Sequence, residues 1–496
     1  MSNSHKKNFL GNVFIYSVAN YFSQALGIVT SIAMRTFLGP AAMGVWMLVQ
    51  VLLDYSGQAA LGTTRAMFRD YPRAKGAGNF EEAEDIKNTT FSFVMAMSVF
   101  PFACIAGYLF FFKSLIDPLF EYSLFFLLGF IFLQRFHDFL ITLLRADKQF
   151  KVLSVVIAAT ALAGCFVVFF LVKHAHLKGM LWGSAVTLTL ISLFVLFLMR
   201  YRIKFDINKK ILIHELKLAL PLAGAAFLAT FLRGLDKIII AKELGLYELG
   251  IYSIAMMVGN YIISFPMMFS HVWYPNLQEI YAKNNKNQQS IAGYFKKPIL
   301  AFAVIVPLIS GLVLIGMPIL IHLFLGKFSE GVPVMKIYML SFFFNILGVF
   351  STNFLVTIDR YWMPIFILLV SIAINFIANS LFIYLGWGLP GVALGTSICF
   401  AFNGLISLLI VLKSIMQTRE RVDMVIKSAL LFLLLMLGVF KIDEIVKLSN
   451  LWTEAAFKMF LLMVFMAPFL FWLEKKLCVL RDLFGRYFPA SKPRKV

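Results

Sequence analysis

Cysteine is nearly absent from this sequence, and charge is scarce. Four cysteines occur in 496 residues, Cys104, Cys165, Cys399 and Cys478. They are scattered and never spaced as CxxC, which excludes a disulfide framework and a thiolate metal site. Charged residues make up 14% of the chain, against about a quarter in a soluble globular domain. There is also no DxD, no HExxH and no Ser/His/Asp arrangement, and His174 and His176 have no carboxylate beside them. A membrane oligosaccharide polymerase or ligase would need such groups on a sizeable loop outside the membrane, and the loops on that side are short. The expectation is a protein that is not an enzyme, with no metal site.

What is abundant is apolar. The chain is 60% hydrophobic with a mean hydropathy of +0.85, too apolar for a soluble fold. Runs long enough to cross a hydrocarbon core of about 30 Å start near Phe9, Ala42, Asn88, Leu119, Phe150, Leu177, Glu215, Gly250, Pro298, Pro333, Trp362, Gly391, Met424 and Thr453. They predict an all-α polytopic membrane protein with 14 transmembrane helices. The first run is longer than the apolar region of a signal peptide and no A-x-A site follows it, so it is expected to be retained as a span.

The formal net charge of +20 does not indicate nucleic acid, because the cations lie in short segments between spans and form no patch on a folded domain. The N-terminus and every second loop hold Lys6 and Lys7, then Arg69, Arg73, Lys75 and Lys87, then Arg145, Lys148 and Lys151, then Arg200, Arg202, Lys204, Lys209, Lys210 and Lys217, and so on to Lys492, Arg494 and Lys495. Roughly thirty lie on that side against fewer than ten opposite, and such an excess marks the cytoplasm. Both termini are therefore expected to be cytoplasmic.

The chain also repeats itself. "FLGPAAMGVW", Phe37 to Trp46, aligns with "ELGLYELGIY", Glu243 to Tyr252, at an offset of 206 residues. "LRADKQF" aligns with "VTIDRYW", placing Asp147 over Asp359, and "LKGMLWGSA" aligns with "LPGVALGTS", placing Gly179 over Gly391 and Gly183 over Gly395, both at an offset of 212. Six spans separate the copies, an even number, so residues 1–205 and 206–415 are expected to be parallel six-helix lobes related by an axis along the membrane normal. Residues 416–496 would add two spans and a basic tail. Gly39, Gly44, Gly245 and Gly250 would let the repeated corners turn, as caps or as pivots.

Polar residues inside the spans mark the functional region. The first span carries Asn12, Tyr16, Asn20, Ser23, Gln24, Gly27 and Thr30 on one face, the second Gln50, Asp54, Gln58, Gly62, Arg65 and Arg69, and the eleventh Ser371, Asn375 and Asn379. Such faces must look into a cavity or at each other, since lipid cannot satisfy them. An ionisable residue at the bilayer centre costs about 2.5–3.5 kcal/mol even on lenient scales and reads as functional. Asp54, Arg135 with Asp138, and Arg233 with Asp236 and Lys237 are the candidates. Duller readings stand beside these: neutralising pairs Arg135–Asp138 and Arg233–Asp236, Arg65 and Lys336 snorkelling to the interface, and His137 as a hydrogen-bonded core residue. Lys237 and the two stripes together favour a polar, net-cationic cavity suited to an anionic headgroup such as a phosphate.

"LPLAGAAFLATFLRGLDKIIIAKELGLYELGIYSIAMMVGNYI", Leu220 to Ile262, resembles the signature of the Wzx-type polysaccharide and O-antigen flippases of the MOP (multidrug/oligosaccharidyl-lipid/polysaccharide) superfamily. "FLGPAAMGVW", "ALGTTRAMFR", "GNFEEAEDIKN" and "LPGVALGTS" are similar to that family too. The resemblance covers essentially the whole chain, and its most specific part is Arg233, Asp236, Leu244, Gly245, Gly250 and Tyr252. It implies a flippase of the bacterial inner membrane that carries an undecaprenyl-diphosphate-linked oligosaccharide, a polyprenyl-diphosphate-linked glycan, between leaflets. It also implies a glycan polymerase and a chain-length regulator as partners, and no cofactor beyond a coupling ion, H+ or Na+. MurJ-like lipid II flippases and MATE-like small-molecule antiporters are the alternatives within the superfamily. Twelve helices are expected of MATE proteins, and the first span here has no charge before Arg35, unlike the arginine-bearing first span expected of the lipid II branch.

The mechanism expected is alternating access between the lobes. Arg233, Lys237 and Arg35 would attract the diphosphate, and Asp54, Gln50, Gln58 and Asn20 would hydrogen-bond sugar hydroxyls. Arg135, Asp138, Asp236 and Arg65 complete the candidate cavity set, with Asp54, Asp138 and Asp236 as candidate coupling-ion sites.

Overall fold

The computed structural model describes residues 3–285, 287–360 and 362–477. Cys478 and the basic tail with Lys492, Arg494 and Lys495 lie outside the described residues, as do the side chains of Lys6, Lys7 and Asn12. Among the described residues there are helices and no strand. In chain order the α-helices are α1 (Asn3–Gln58), α2 (Thr63–Gly76), α3 (Phe80–Met97), α4 (Val99–Phe112), α5 (Pro118–Ala146), α6 (Phe150–Phe166), α7 (Lys173–Met199) and α8 (Lys209–Glu243). They continue with α9 (Leu246–Lys283), α10 (Ala292–Phe324), α11 (Gly331–Met339), α12 (Ser341–Thr357), α13 (Trp362–Tyr384), α14 (Gly388–Ile415), α15 (Thr418–Ile445) and α16 (Leu451–Leu477).

Ten described helices are long and apolar enough to cross a membrane, or eleven if α11 and α12, bent by 41° to each other, form one span. The expected fourteen differs from that number for a visible reason. Two of the ten carry a residue with non-helical backbone, Gly39 (φ 73°) inside α1 and His176 (φ 46°) inside α7, so that two predicted spans run on as one helix. The helix α8, read from sequence as the seventh span, is not among the ten.

By packing, the described chain divides into two compact units, Met1–Ser253 and Ile254–Val496. This is a different division from the repeat boundary at 205/206, because α8 packs against α1, α2 and α3 and so joins the first unit.

In the first unit the repeated corners meet. A Cβ on Gly44 would strike the Leu246 carbonyl oxygen, and a Cβ on Gly250 would strike the Pro40 carbonyl oxygen. At the offset of 206, Leu246 is the counterpart of Pro40, so the contact is reciprocal, as in a two-fold interface. Gly39 and Gly245, with φ of 73° and 105°, turn the chain. Gly44 and Gly250 lie within helices and serve close approach instead, which differs from the expectation that all four turn.

One other matched pair also has equivalent surroundings. Position 183 is a glycine whose Cβ would strike Val167, and position 395 is a glycine whose Cβ would strike Asn379, the residue 212 after Val167. The helices α6 and α13 begin at Phe150 and Trp362, at the same offset.

The second unit is built around aromatic packing. Trp273 lies 4.8 Å from Phe350 and Phe295 lies 4.9 Å from Phe354, ring centre to ring centre, joining α9, α10 and α12. Phe343 stacks on Phe432 at 4.6 Å, tying α12 to α15. The last two helices dock on α10, where Gly311 lies against Leu462 and Val439.

Candidate functional site

Two glycines let α1, α5 and α8 come together around Asp54. Gly57, one turn after Asp54, has the Arg135 guanidinium where its Cβ would stand. Gly234, in α8, has the Tyr55 hydroxyl there, and that hydroxyl donates to the Phe231 carbonyl at 3.2 Å while the Tyr55 and Phe231 rings stack at 5.8 Å. A Cβ at Gly57 would displace the end of the Arg135 side chain, and one at Gly234 would strike the Tyr55 hydroxyl and ring, so the missing Cβ atoms make room for these side chains beside Asp54.

Charges then collect around the Asp54 carboxylate. Lys237 and Arg233 of α8 and Arg135 and Asp138 of α5 all lie within its electrostatic reach. Arg135 Nη2 pairs with Asp138 Oδ2 at 3.1 Å, while Gln134 Nε2 donates to Asp138 Oδ1 at 3.0 Å. Arg135 Nε is buried without a hydrogen-bond partner. Arg233 Nη2 donates to Thr230 Oγ1 at 3.1 Å, and Gln58 Nε2 reaches the same oxygen at 3.4 Å. Arg233 and Asp54 are exposed and Lys237 is half-buried, so these three remain open to a ligand. Three cations against two carboxylates leave the group net positive.

The other candidates lie elsewhere. Asp236 is buried at 2% exposure, where it accepts from the Tyr252 hydroxyl at 3.0 Å and the Lys237 backbone N–H at 2.9 Å. It fastens α8 to α9 and does not line an open surface. Arg35, 5% exposed, donates from Nε to Ser253 Oγ at 3.1 Å, from Nη2 to Ser253 O at 3.0 Å, and from Nη1 to Ser31 O and Oγ at 2.9 and 2.6 Å. Its donors are directed into the protein. Asn20 is half-buried and donates to the Tyr16 carbonyl of its own helix at 2.7 Å, Gln50 is half-buried, and Arg65 is exposed on α2. His137 is buried with Nδ1 3.1 Å from Ser192 Oγ.

Lys336, expected to snorkel, instead pairs with Asp443 at 2.7 Å. Lys458, 7% exposed, holds the other Asp443 oxygen at 2.8 Å and Glu454 at 2.6 Å. These residues line a cavity of about 490 Å³ in the second unit, distinct from the Asp54 group. Sequence reading missed this cluster, because Asp443 and Lys458 stand at predicted span ends where charge is unremarkable. It also missed Tyr55, Thr230 and Tyr252 as partners; Tyr252 alone carried a signal, as the aromatic of the repeated corner.

A family model described as "Polysaccharide biosynthesis protein" matches residues 81–333, just over half of the chain. The chain belongs to that family. No curated protein sequence matches it significantly. Among solved structures, the lipid II flippase MurJ in an inward closed conformation is 15% identical with a TM-score of 0.66, the match covering 94% of this chain and 100% of that one. An inward-facing MATE multidrug transporter of the MOP superfamily is 14% identical with a TM-score of 0.65, covering 80% and 95%. A MOP-superfamily transporter from Pyrococcus furiosus is 14% identical with a TM-score of 0.58, covering 84% and 96%. The fold of this family member is thus the one shared by MATE proteins and MurJ. With its apolar helices, it is a multi-pass membrane protein.

Proposed function

We propose that the protein is a flippase that carries an undecaprenyl-diphosphate-linked oligosaccharide from the cytoplasmic to the outer leaflet of the bacterial inner membrane, with both termini in the cytoplasm. The observation that carries this reading is the group Arg233, Lys237 and Arg135 gathered about Asp54, net positive and partly exposed. A diphosphate is the part of such a substrate that this group would hold. Asp54 itself and the polar residues beside the group, Gln58 and Thr230, suit sugar hydroxyls, and Gln50, one turn before Asp54 on the same helix, would extend that set. The family description and the MOP fold agree with this reading.

In this reading the chain has fourteen spans, twelve in two parallel six-helix lobes and two beyond them, and the lobes rock about the Gly44–Gly250 corner while the lipid tail stays in the bilayer. Arg35 and Asp236 hold helices together and do not touch the substrate. A lipid II cargo is the second reading, favoured by the MurJ likeness. It would use the same diphosphate group and differ in the glycan.

Neutralising Arg233 and Lys237 tests the site. Each charge-assisted hydrogen bond lost is worth roughly 1.5–3 kcal/mol. Arg233→Gln with Lys237→Gln is therefore expected to abolish complementation of a flippase-deficient strain at matched expression. Full complementation by the double variant would contradict the proposed site.

A further inference from the structure

Glu215 is a buried carboxyl that the transport reading leaves without a role. It lies in the second turn of α8 and is 1% exposed. Its Oε1 accepts from Thr90 Oγ1 of α3 at 2.9 Å, and its Oε2 is buried with no hydrogen-bond partner. An ionised carboxylate has lone pairs for about four donors, and one hydroxyl serves this one.

The charged groups around it give no compensation. The helix α2 faces it with Asp70, a like charge. Asp70 is itself held by Arg69 at 2.7 Å, Arg73 at 3.6 Å and His214, the residue before Glu215, at 3.6 Å. From α3 comes Lys87, 1% exposed, which is committed to Glu84 and to the Arg202 carbonyl at 2.6 Å. The remaining neighbour, α1, carries no charge between Asp54 and its end at Gln58, and Asp54 faces Arg233 and Lys237.

The carboxyl is also unable to turn out to water while α8 stays in place. Asn208, the cap of α8, donates its backbone N–H to Thr89 Oγ1 and its side-chain amide to Asp85 Oδ2, both at 3.0 Å. The segment before it is fixed to α3 through Lys204 N to Asn88 Oδ1 at 3.1 Å and Asp206 N to Ser92 Oγ at 2.9 Å. Four residues beyond Glu215, the Ala219 methyl stands 3.2 Å from where a Cβ of Gly62, the residue capping α2, would be.

We propose that Glu215 is a proton-binding site, and that its bound proton latches the first turns of α8 against α2 and α3. The neutral carboxyl packs there. When the proton leaves to water, the charge that remains is buried beside Asp70 with one donor, and the end of α8 must separate for water to reach it. The packed state therefore binds the proton more tightly than the separated one. The latch is complete below the carboxyl's affinity in the separated state and is lost as pH rises through its affinity in the packed state. This inference does not depend on the cargo, and its test needs none.

The test reads exposure of α8 directly. In full-length protein with Cys104, Cys165, Cys399 and Cys478 replaced by alanine, Ala219→Cys places a thiol at a site now 4% exposed. Its maleimide reaction in detergent micelles is followed against pH and divided by that of Ala77→Cys, an exposed position after α2, which removes the thiol's own titration. The relative rate is expected to rise with pH, approaching about tenfold per unit, as one released proton requires. Glu215→Gln should keep it low and flat. Asp70→Asn, which removes the like charge and frees two arginines, should shift the rise to lower pH; this arm decides the matter even if Glu215→Gln fails to fold. A flat profile with Glu215 intact, a rise that survives in Glu215→Gln, or an unmoved rise in Asp70→Asn overturns the proposal.

Discussion

Single residues inside the spans divide into those that face a ligand and those that face the protein, and charge alone does not tell them apart. Arg35, Asp236 and Arg233 all read from sequence as cavity charges. The structure places hydrogen-bond partners around the first two on every side and leaves Arg233 exposed with one partner, Thr230. The difference lies in Ser253, 218 residues from Arg35, and Tyr252, 16 residues from Asp236, which become partners only when α9 folds back. Removing the Tyr252 hydroxyl strands one oxygen of a buried carboxylate, at a cost of about 1–3 kcal/mol. Tyr252→Phe should accordingly lower the thermal unfolding midpoint in detergent while the folded fraction keeps its flipping activity. An unchanged midpoint would show that the Asp236 contact contributes no stability.

At the scale of helices, the missing Cβ atoms do more than the turns. Sequence matching found the corners at Gly39–Gly44 and Gly245–Gly250, but it read them as loops that bend. Only proximity could reveal that Gly44 and Gly250 each press on the other corner's backbone. A carbonyl cannot yield as a side chain can, so Gly44→Val should cost at least the 1–3 kcal/mol typical of overpacking. Gly39→Ala meets nothing within 4 Å and bears only the strain of a backbone at φ 73° and ψ 175°, a conformation essentially confined to glycine that costs on the order of 1–3 kcal/mol. Unfolding of the two variants side by side checks the order, with Gly44→Val the less stable.

The second unit offers a parallel case. Asp443 gathers Lys336 and Lys458 from two other helices. Asp443→Asn leaves the buried Lys458 with Glu454 alone, and breaking a buried pair costs about 3–5 kcal/mol. The C-terminal helices α15 and α16 should then become cleavable by protease at concentrations that leave the parent chain intact.

For the molecule as a whole, the all-helical membrane architecture was legible because hydropathy and lysine–arginine bias act over whole spans. The number of spans was less so. Gly39 and His176 interrupt helices without ending them, and a hydropathy count cannot distinguish a kink from a loop. The candidate site was legible in its charges and illegible in its geometry. Asp54, Arg135, Arg233 and Lys237 stood out as ionisable groups among apolar neighbours. The notches at Gly57 and Gly234 that gather them are ordinary glycines in sequence.

The central claim is that this cationic group moves a diphosphate-linked glycan between leaflets, and the most direct measurement is translocation in proteoliposomes. Purified protein would be reconstituted with an undecaprenyl-diphosphate-linked oligosaccharide, and the glycan's accessibility to an impermeant glycosidase followed in time. Accessibility should rise with the parent protein and stay at the protein-free level with Arg233→Gln/Lys237→Gln. Equal translocation by the parent and the double variant, or none by the parent, would contradict the claim.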